Sequence, residues 1–390
     1  MTQADRWLLP DGLEEILPET ARSVETLRRS LLDLFHSWGY ELVIPPLIEY
    51  ADSLLIGLGS DMDIHSFKMV DQLNGRLLAV RPDITPQVAR IDAHSLRREG
   101  LARLCYAGSV LHTKPKSLLA SRSPIQVGAE LYGEASVEAD IEIICLMLQT
   151  LTIAELTNIT LDLGHVGIFD ALAKQAELSS SQKQEIFEAL QRKSISDLDK
   201  LIQQYISAPA LAAAFIKLAG LHGGVEVIEQ ARGSFAGFGD EINTALNQLA
   251  AIVKVIQQRY ENVECYIDLA ELTGFHYHQG LVFAAYTIGY GQAIANGGRY
   301  DNIGEQFGRA RPATGFSLEL KALAMQSVVK NIQQQRRIFA PQQCDIDVVQ
   351  ALREQGEIVI CAMAGQQTPA DVDAILVSDN GQWHVEAINK

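Results

Sequence analysis

The sequence predicts an α+β fold that carries a helical insertion and a small α/β C-terminal domain, and three observations lead there. Helix-period and strand-period segments occur together over residues 1–166 and again over 261–330. Between them, 167–260 reads as successive helices separated by short Ser, Asp, Pro and Gly breaks. From 331 to 390 the chain holds about one βαβ unit and two further strands.

Pro18, Glu19 and Thr20 open the first helix, because proline is pre-organised for a first helical turn. Leu27, Leu31, Leu34, Phe35 and Trp38 recur at helical spacing, and Gly39 ends the run. Tyr40 to Pro46 is extended, with prolines suited to a strand end or a sheet edge. Residues 52–63 are loop-like and rich in glycine and acids, and 76–81 reads as a strand. Pro82-Asp83-Ile84-Thr85-Pro86 then sets a turn and a helix start, with Thr85 as N-cap and Pro86 in the first helical position. A long amphipathic helix follows over 136–156, and a strand over 159–163. Strand patterns return at 263–268 and 280–286. A Gly-rich corner, Asn296 to Asp301, comes next, and Arg311 to Phe316 leads into a helix from about 318 to 334. The tail reads as strand 337–340, helix 345–355, strand 358–363, then strands 374–377 and 384–386.

A chain of 390 residues can form two or three domains with a large core. The hydrophobic fraction of 47% is ordinary for a globular protein, and no run of eighteen apolar residues marks a membrane span. The first residues lack a basic stretch followed by an apolar core, so a cytoplasmic location is expected. Five scattered cysteines without a Cys-x-x-Cys pair suggest free thiols rather than a disulfide framework or a zinc cage. The net charge of −16 argues against nucleic acid as the main partner, since that affinity comes largely from positive charge meeting phosphates. His276 and His278 would share a strand face, and Asp61 and Asp63 sit in an acidic loop, but no third ligand is placed beside either pair. Neither a Gly-x-Gly-x-x-Gly fingerprint nor a P-loop is present, and no metal or cofactor is expected.

Five segments occur in a fixed order: Arg81 to Thr85, Tyr106 to Glu130, Thr273 to Gly280, Asn296 to Asp301, and Gly315 to Glu319. Each alone is weak. Together they resemble the catalytic part of the histidyl-tRNA synthetase family, the second and fifth being similar to the second and third class II motifs. The helix, glycine, strand and proline order before Pro46 resembles the first. The resemblance implies a class II aminoacyl-tRNA synthetase-like fold, a mostly antiparallel sheet flanked by helices and dimeric through its first motif. It also implies an amino-acid pocket. Asp83 falls where the family pairs a carboxylate with the substrate ammonium, and Thr85 on the hydroxyl partner of that group. Gln126 falls on an amide near the substrate backbone, Glu130 on the acceptor of an imidazole N–H, and Tyr277 and His278 on the wall. The residue types suit that work, because an ammonium favours a charge-assisted bond to a carboxylate and an imidazole N–H needs an acceptor.

Three departures decide the function. His112 stands where the second motif has the arginine that holds the α-phosphate of ATP. Thr273 replaces the arginine that would meet the substrate carboxylate, and Ala322 the ATP-binding arginine of the third motif. Arginine suits a phosphate-centred transition state because it is planar, always charged and bidentate. Losing one such donor costs roughly a hundred- to a thousand-fold in rate, although losses within one unit need not multiply. The synthetases also continue into a larger anticodon-reading domain, where this chain has only the segment 331–390. The combination resembles the regulatory subunits of ATP phosphoribosyltransferase. That resemblance implies a non-catalytic subunit in histidine biosynthesis, one that activates a short-form catalytic subunit and mediates feedback inhibition by histidine as effector. The catalytic partner transfers a phosphoribosyl group from phosphoribosyl pyrophosphate to ATP, and the family forms hetero-octamers of four plus four subunits. Two alternatives stay open at the level of sequence: an active histidyl-tRNA synthetase, and a synthetase-like paralogue that binds another amino acid or partner. Whether histidine would sit in the synthetase-like pocket or at a subunit interface also stays open.

Overall fold

The first helix forms over Pro18–Ser37 with Pro18 in its first turn, and it buries Val24, Leu27, Leu31, Leu34 and Phe35. In the computed structural model, which describes residues 7–54, 64–115, 120–270, 279–327 and 336–388, that apolar stripe lies on a large sheet. Phe35 meets Phe316 of the sheet edge-to-face, with ring centroids 6.0 Å apart. Truncating a fully buried phenylalanine of this kind typically costs about 3–5 kcal/mol.

The chain divides into two units, Met1–Val328 and Val329–Lys390. The strands of the first unit are β1 (Glu41–Leu42), β2 (Ile48–Tyr50), β3 (Lys68–Val70), β4 (Leu77–Val80), β5 (Ala102–Ser109) and β6 (Ile125–Tyr132). They continue as β7 (Ile159–His165), β8 (His222–Gly223), β9 (Val263–Asp268), β10 (Leu281–Thr287), β11 (Ala293–Arg299) and β12 (Ala313–Glu319). Nine of them form one sheet in the order β1-β5-β6-β12-β11-β10-β7-β9-β8, while β2-β4-β3 form a small antiparallel sheet. Among the described residues of the large sheet, only β1–β5 and β7–β9 pair in parallel. The predicted α+β class is therefore observed, with the mostly antiparallel sheet that the resemblance implied.

The parallel β7–β9 pair requires a crossover, and six helices from Val166–Gln175 to Asp240–Arg259 supply it. Their starts follow local chemistry. Ser179 and Gln182 close a capping box on the helix Ser180–Gln191, and the His165 ring accepts the Gly167 N–H at the start of Val166–Gln175. The buried side chains of these helices belong to the same core as the sheet. His222–Gly223 adds an antiparallel edge strand to β9 that the sequence did not signal.

Three local expectations are corrected. Thr85 is not an N-cap: the cap position is Ile84, with no side-chain cap bond, and Thr85 begins the helix Thr85–Arg90 with its hydroxyl spent elsewhere. The Gly-rich stretch from Asn296 is strand interior as far as Arg299, not a corner. Gly297 is there because a Cβ would lie 2.1 Å from the Gly315 carbonyl oxygen and 2.6 Å from the Phe283 ring. Leu318 and Glu319 end β12, so the following helix starts at Leu320 and is described to Gln326.

In the second unit, β13 (Arg337–Ala340) pairs in parallel with β14 (Ile358–Cys361), joined through the helix Ile346–Glu354. With β15 (Ala374–Asp379) and β16 (Gln382–Ala387) the sheet order is β14-β13-β15-β16. Asp345 caps the helix by accepting the Asp347 N–H. Ile338, Ala340, Val349, Val359, Ala374 and Leu376 form its core. Among the described residues no helix is long and apolar enough to cross a membrane.

Candidate functional site

The turn between β4 and the helix Thr85–Arg90 faces the middle of β5 and β6. Asp83 Oδ1 accepts the Thr85 N–H and the Gln126 Nε2 amide, each at 2.9 Å. Gln126 Oε1 accepts the Ile84 N–H at 2.9 Å, so one side chain clamps the turn from both sides. The Thr85 hydroxyl donates to Glu130 Oε1 at 3.1 Å, and the Tyr106 hydroxyl donates to the same oxygen at 3.0 Å. Asp83, Thr85, Gln126 and Glu130, named from sequence, thus share one hydrogen-bonded network. Gln126, Gly128 and Glu130 alternate along β6 and so present to one face.

Glycines shape this face. Gly128 pairs with Tyr106 across β5–β6, and a Cβ there would lie 2.5 Å from the Tyr106 hydroxyl. Gly315 pairs with Glu130 across β6–β12. A Cβ on Gly315 would lie 1.8 Å from Glu130 Oε2 and 2.2 Å from the Tyr300 hydroxyl, so the two oxygens converge over a backbone that must be bare.

Glu130 is 1% exposed, and among the described residues its Oε2 has no hydrogen-bond partner. Burial pushes its carboxyl well above the usual range; the Tyr106 bond opposes this, the Asp83 charge adds to it, and the Thr85 bond opposes it again. Burial likewise raises the Tyr106 phenol, with the charges of Glu130 and Asp83 adding to it. A buried carboxylate oxygen without a donor is costly unless something supplies one. The arrangement can accept an N–H at Glu130 and a cation beside Asp83.

Sequence reasoning did not assign roles to Tyr106, Gly128, Tyr300 or Gly315. The available signal was glycine inside strand patterns, which marks close approach of other groups. Thr273, Tyr277 and His278 lie outside the described residues.

Two of the three positions that lack arginine, His112 and Ala322, are described, and both are held by the surrounding structure. His112 is buried, and its Nε2 lies 2.9 Å from the Pro82 carbonyl oxygen, so this nitrogen carries the proton and braces the turn that bears Asp83. Ala322 packs against the main core, and its N–H is held by the Glu319 carboxylate. The same carboxylate accepts the Lys321 N–H at 3.1 Å and the Ile125 N–H at 3.0 Å. Arg299 of the Asn296–Asp301 segment is a staple: it pairs with buried Asp140 at 3.0 Å and donates to the Glu134 carbonyl oxygen at 3.0 Å.

The chain matches the histidyl-tRNA synthetase family over residues 12–323, and the ATP phosphoribosyltransferase subunit HisZ C-terminal domain over 335–386. An ATP phosphoribosyltransferase regulatory subunit from Thioalkalivibrio sulfidiphilus is 50% identical over 392 residues, with 99% of each chain covered. A solved ATP phosphoribosyltransferase regulatory subunit/histidyl-tRNA synthetase from Bacillus halodurans aligns with a TM-score of 0.82 at 27% identity, covering 94% of this chain and 96% of that one. A chain of the ATP phosphoribosyl transferase (HisG:HisZ) complex from Thermotoga maritima shares the fold, with a TM-score of 0.58 at 18% identity over 75% of this chain and 96% of its own. Near-complete coverage at half identity, with both segments matched in order, means that the chain belongs to the ATP phosphoribosyltransferase regulatory subunit family, on a histidyl-tRNA synthetase-like fold.

Proposed function

We propose that the chain is a non-catalytic subunit in histidine biosynthesis, that it activates a short-form ATP phosphoribosyltransferase catalytic subunit, and that it makes the partner responsive to histidine. The observation that carries the effector half is the buried Glu130 oxygen without a donor, set beside Asp83, Thr85 and Gln126. A histidine imidazole N–H donates to Glu130 Oε2, and its ammonium is held by Asp83 with the Thr85 hydroxyl beside it. Gln126 fixes the turn against which the amino acid lies. Tyr277 and His278 are assigned to the wall by their place in the motif alone. With Thr273 in place of an arginine, the histidine carboxylate has a weaker partner than a synthetase provides.

His112 and Ala322 leave no arginine at the two positions where the synthetase frame holds ATP, which supports a subunit that makes no adenylate. Regulation then means that histidine binds one state of the complex better than another, and couplings of this kind are typically about 1–3 kcal/mol. Self-association through the class II interface is supported by the edge position of β1. Exposed Leu42, Ile44, Ile48, Met69 and Val70 on and beside the short strands β1 to β3 also support it. The assembled form is a cytoplasmic hetero-octamer of four such chains with four catalytic subunits.

Mixing the purified chain with a short-form catalytic subunit and following phosphoribosyl-ATP formation tests this reading. The rate is expected to rise on mixing and to fall again with histidine; a rate indifferent to the chain overturns it.

A further inference from the structure

The helical insertion carries a groove of about 350 Å³ between the helix Val227–Ser234 and the helix Asp240–Arg259. Its floor is apolar, formed by Val225, Ile228 and Val253. One wall bears the Glu229 carboxylate. The other bears the Lys254 ammonium and the Gln257 amide, three residues apart and so on one helix face. Arg232 ties the two walls together at one end: its Nε donates to Glu229 Oε1 at 3.0 Å, and its Nη2 to Asn247 Oδ1 at 2.7 Å. Among the described residues, Glu229 Oε2 is left without a hydrogen bond, and the side chains of Lys254 and Gln257 make no hydrogen bond or ion pair. The longer helix is firmly anchored. Leu246, Leu249, Ile252 and Ile256 are buried along it, and Gln248 Oε1 lies 2.8 Å from the His165 Nε2 at the end of β7.

We propose that this groove binds a free α-amino acid with a small aliphatic side chain, its carboxylate on Lys254 and its ammonium on Glu229. The two walls carry opposite charges, yet Glu229 and Lys254 form no ion pair with each other. Axes of packed helices lie about 8–10 Å apart. A gap on that order is bridged by a small zwitterion with a charge-assisted bond of about 2.8 Å at each end. A fatty acid or an amine would satisfy one wall only, whereas an amino acid satisfies both. Gln257 adds an amide donor beside the carboxylate. The apolar floor then covers an aliphatic side chain, at about 25 cal/mol per Å² removed from water. The volume falls at the small end of ligand sites, which run from roughly 300 to 1,000 Å³. The Arg232 bridge closes one end, which favours a small molecule over a helix lying through the groove. Both rim charges are solvent-exposed, so the binding is weak. This groove is separate from the Glu130 pocket and does not depend on histidine binding there.

Calorimetric titration of the full chain with L-leucine tests the groove in four forms: unaltered, Lys254→Met, Glu229→Gln and Glu130→Gln. Leucine is expected to bind the unaltered chain. Lys254→Met and Glu229→Gln are each expected to weaken it about three- to fivefold, the effect of losing one exposed ion pair. Both side chains are exposed, so these two variants keep the fold. Glu130→Gln is expected to leave leucine binding unchanged. Isopentylamine, which is leucine without its carboxylate, is expected to bind more weakly than leucine and not to be weakened by Lys254→Met. The proposal is overturned by the absence of saturable binding at millimolar leucine, or by equal affinity in the unaltered chain and both rim variants. Loss of leucine binding in Glu130→Gln would place the ligand in the other pocket and overturn it too, as would isopentylamine binding that falls with Lys254→Met as leucine binding does.

Discussion

In the proposed amino-acid pocket, Glu130 keeps one oxygen without a hydrogen bond among the described residues, over a backbone held bare by Gly315. On the nucleotide side the polar groups point inward instead: His112 holds the Pro82 carbonyl, Glu319 holds three N–H groups, and Lys321 holds Glu14. Both regions sit on the same sheet and are joined by the turn at Pro82 and Asp83. The contrast is the one the proposed function requires between a binding site and its remains. Where the fold leaves a buried group short of a partner, the proposal places a ligand; where the chain satisfies its own groups, it places structure.

The comparison can be broken from either side. The largest expected effect lies in the satisfied region. Arg299→Met leaves buried Asp140 without its counter-charge, and denaturant unfolding should show a loss of about 3–5 kcal/mol. Gly315→Ala intrudes on Glu130 and Tyr300, and should destabilise the fold by about 1–3 kcal/mol while removing histidine binding. A variant that melts like the parent and still binds histidine would show that the bare backbone at Gly315 is not needed.

Protonation separates the two regions next. The folded pKa of Glu130 is raised, so the folded state holds this proton more tightly than the unfolded chain does. The group's contribution to stability is full below its unfolded pKa and is lost as pH rises through the folded one. The unliganded chain should therefore lose stability with rising pH over that range, and Glu130→Gln should flatten the profile; parallel profiles for the two proteins would count against a buried, partner-short carboxyl. The smallest effect belongs to His112. His112→Ala removes the bond to Pro82 and should cost about 1 kcal/mol in unfolding experiments. His112→Arg should leave histidine-dependent ATP–pyrophosphate exchange undetectable, because Ala322 is unchanged and Glu14 still holds Lys321.

Much of the fold was legible because its elements carry strong periods. The stripe from Leu27 to Phe35 fixed the first helix, and β10 lies where alternation placed it. The failures have one physical cause, which is that tertiary contacts outrank local chemistry. Thr85 looked like a cap because threonine before proline often is one, but its hydroxyl goes to Glu130. The Gly297-Gly298 pair looked like a turn, yet it lies in a strand, where Gly297 makes room for Phe283 and the neighbouring backbone. Gln126 and Glu130 share a face by strand alternation alone, whereas their meeting with Asp83 and Thr85, far apart in the chain, was legible only through the resemblance. Tyr106 was missed because its hydroxyl gains a role only once β5 and β6 are in register. The contact of Glu14 with Lys321 spans nearly the whole first unit, and no local pattern announces it.

The most direct test is calorimetry of the purified chain and its Glu130→Gln variant with histidine, and of the unaltered chain with ATP. Histidine is expected to bind the unaltered chain, and its binding to be weakened severalfold by Glu130→Gln, the effect of losing one hydrogen bond of about 0.5–1.5 kcal/mol. No measurable ATP binding is expected. Histidine binding that ignores Glu130→Gln, or ATP binding to the unaltered chain, would contradict this account.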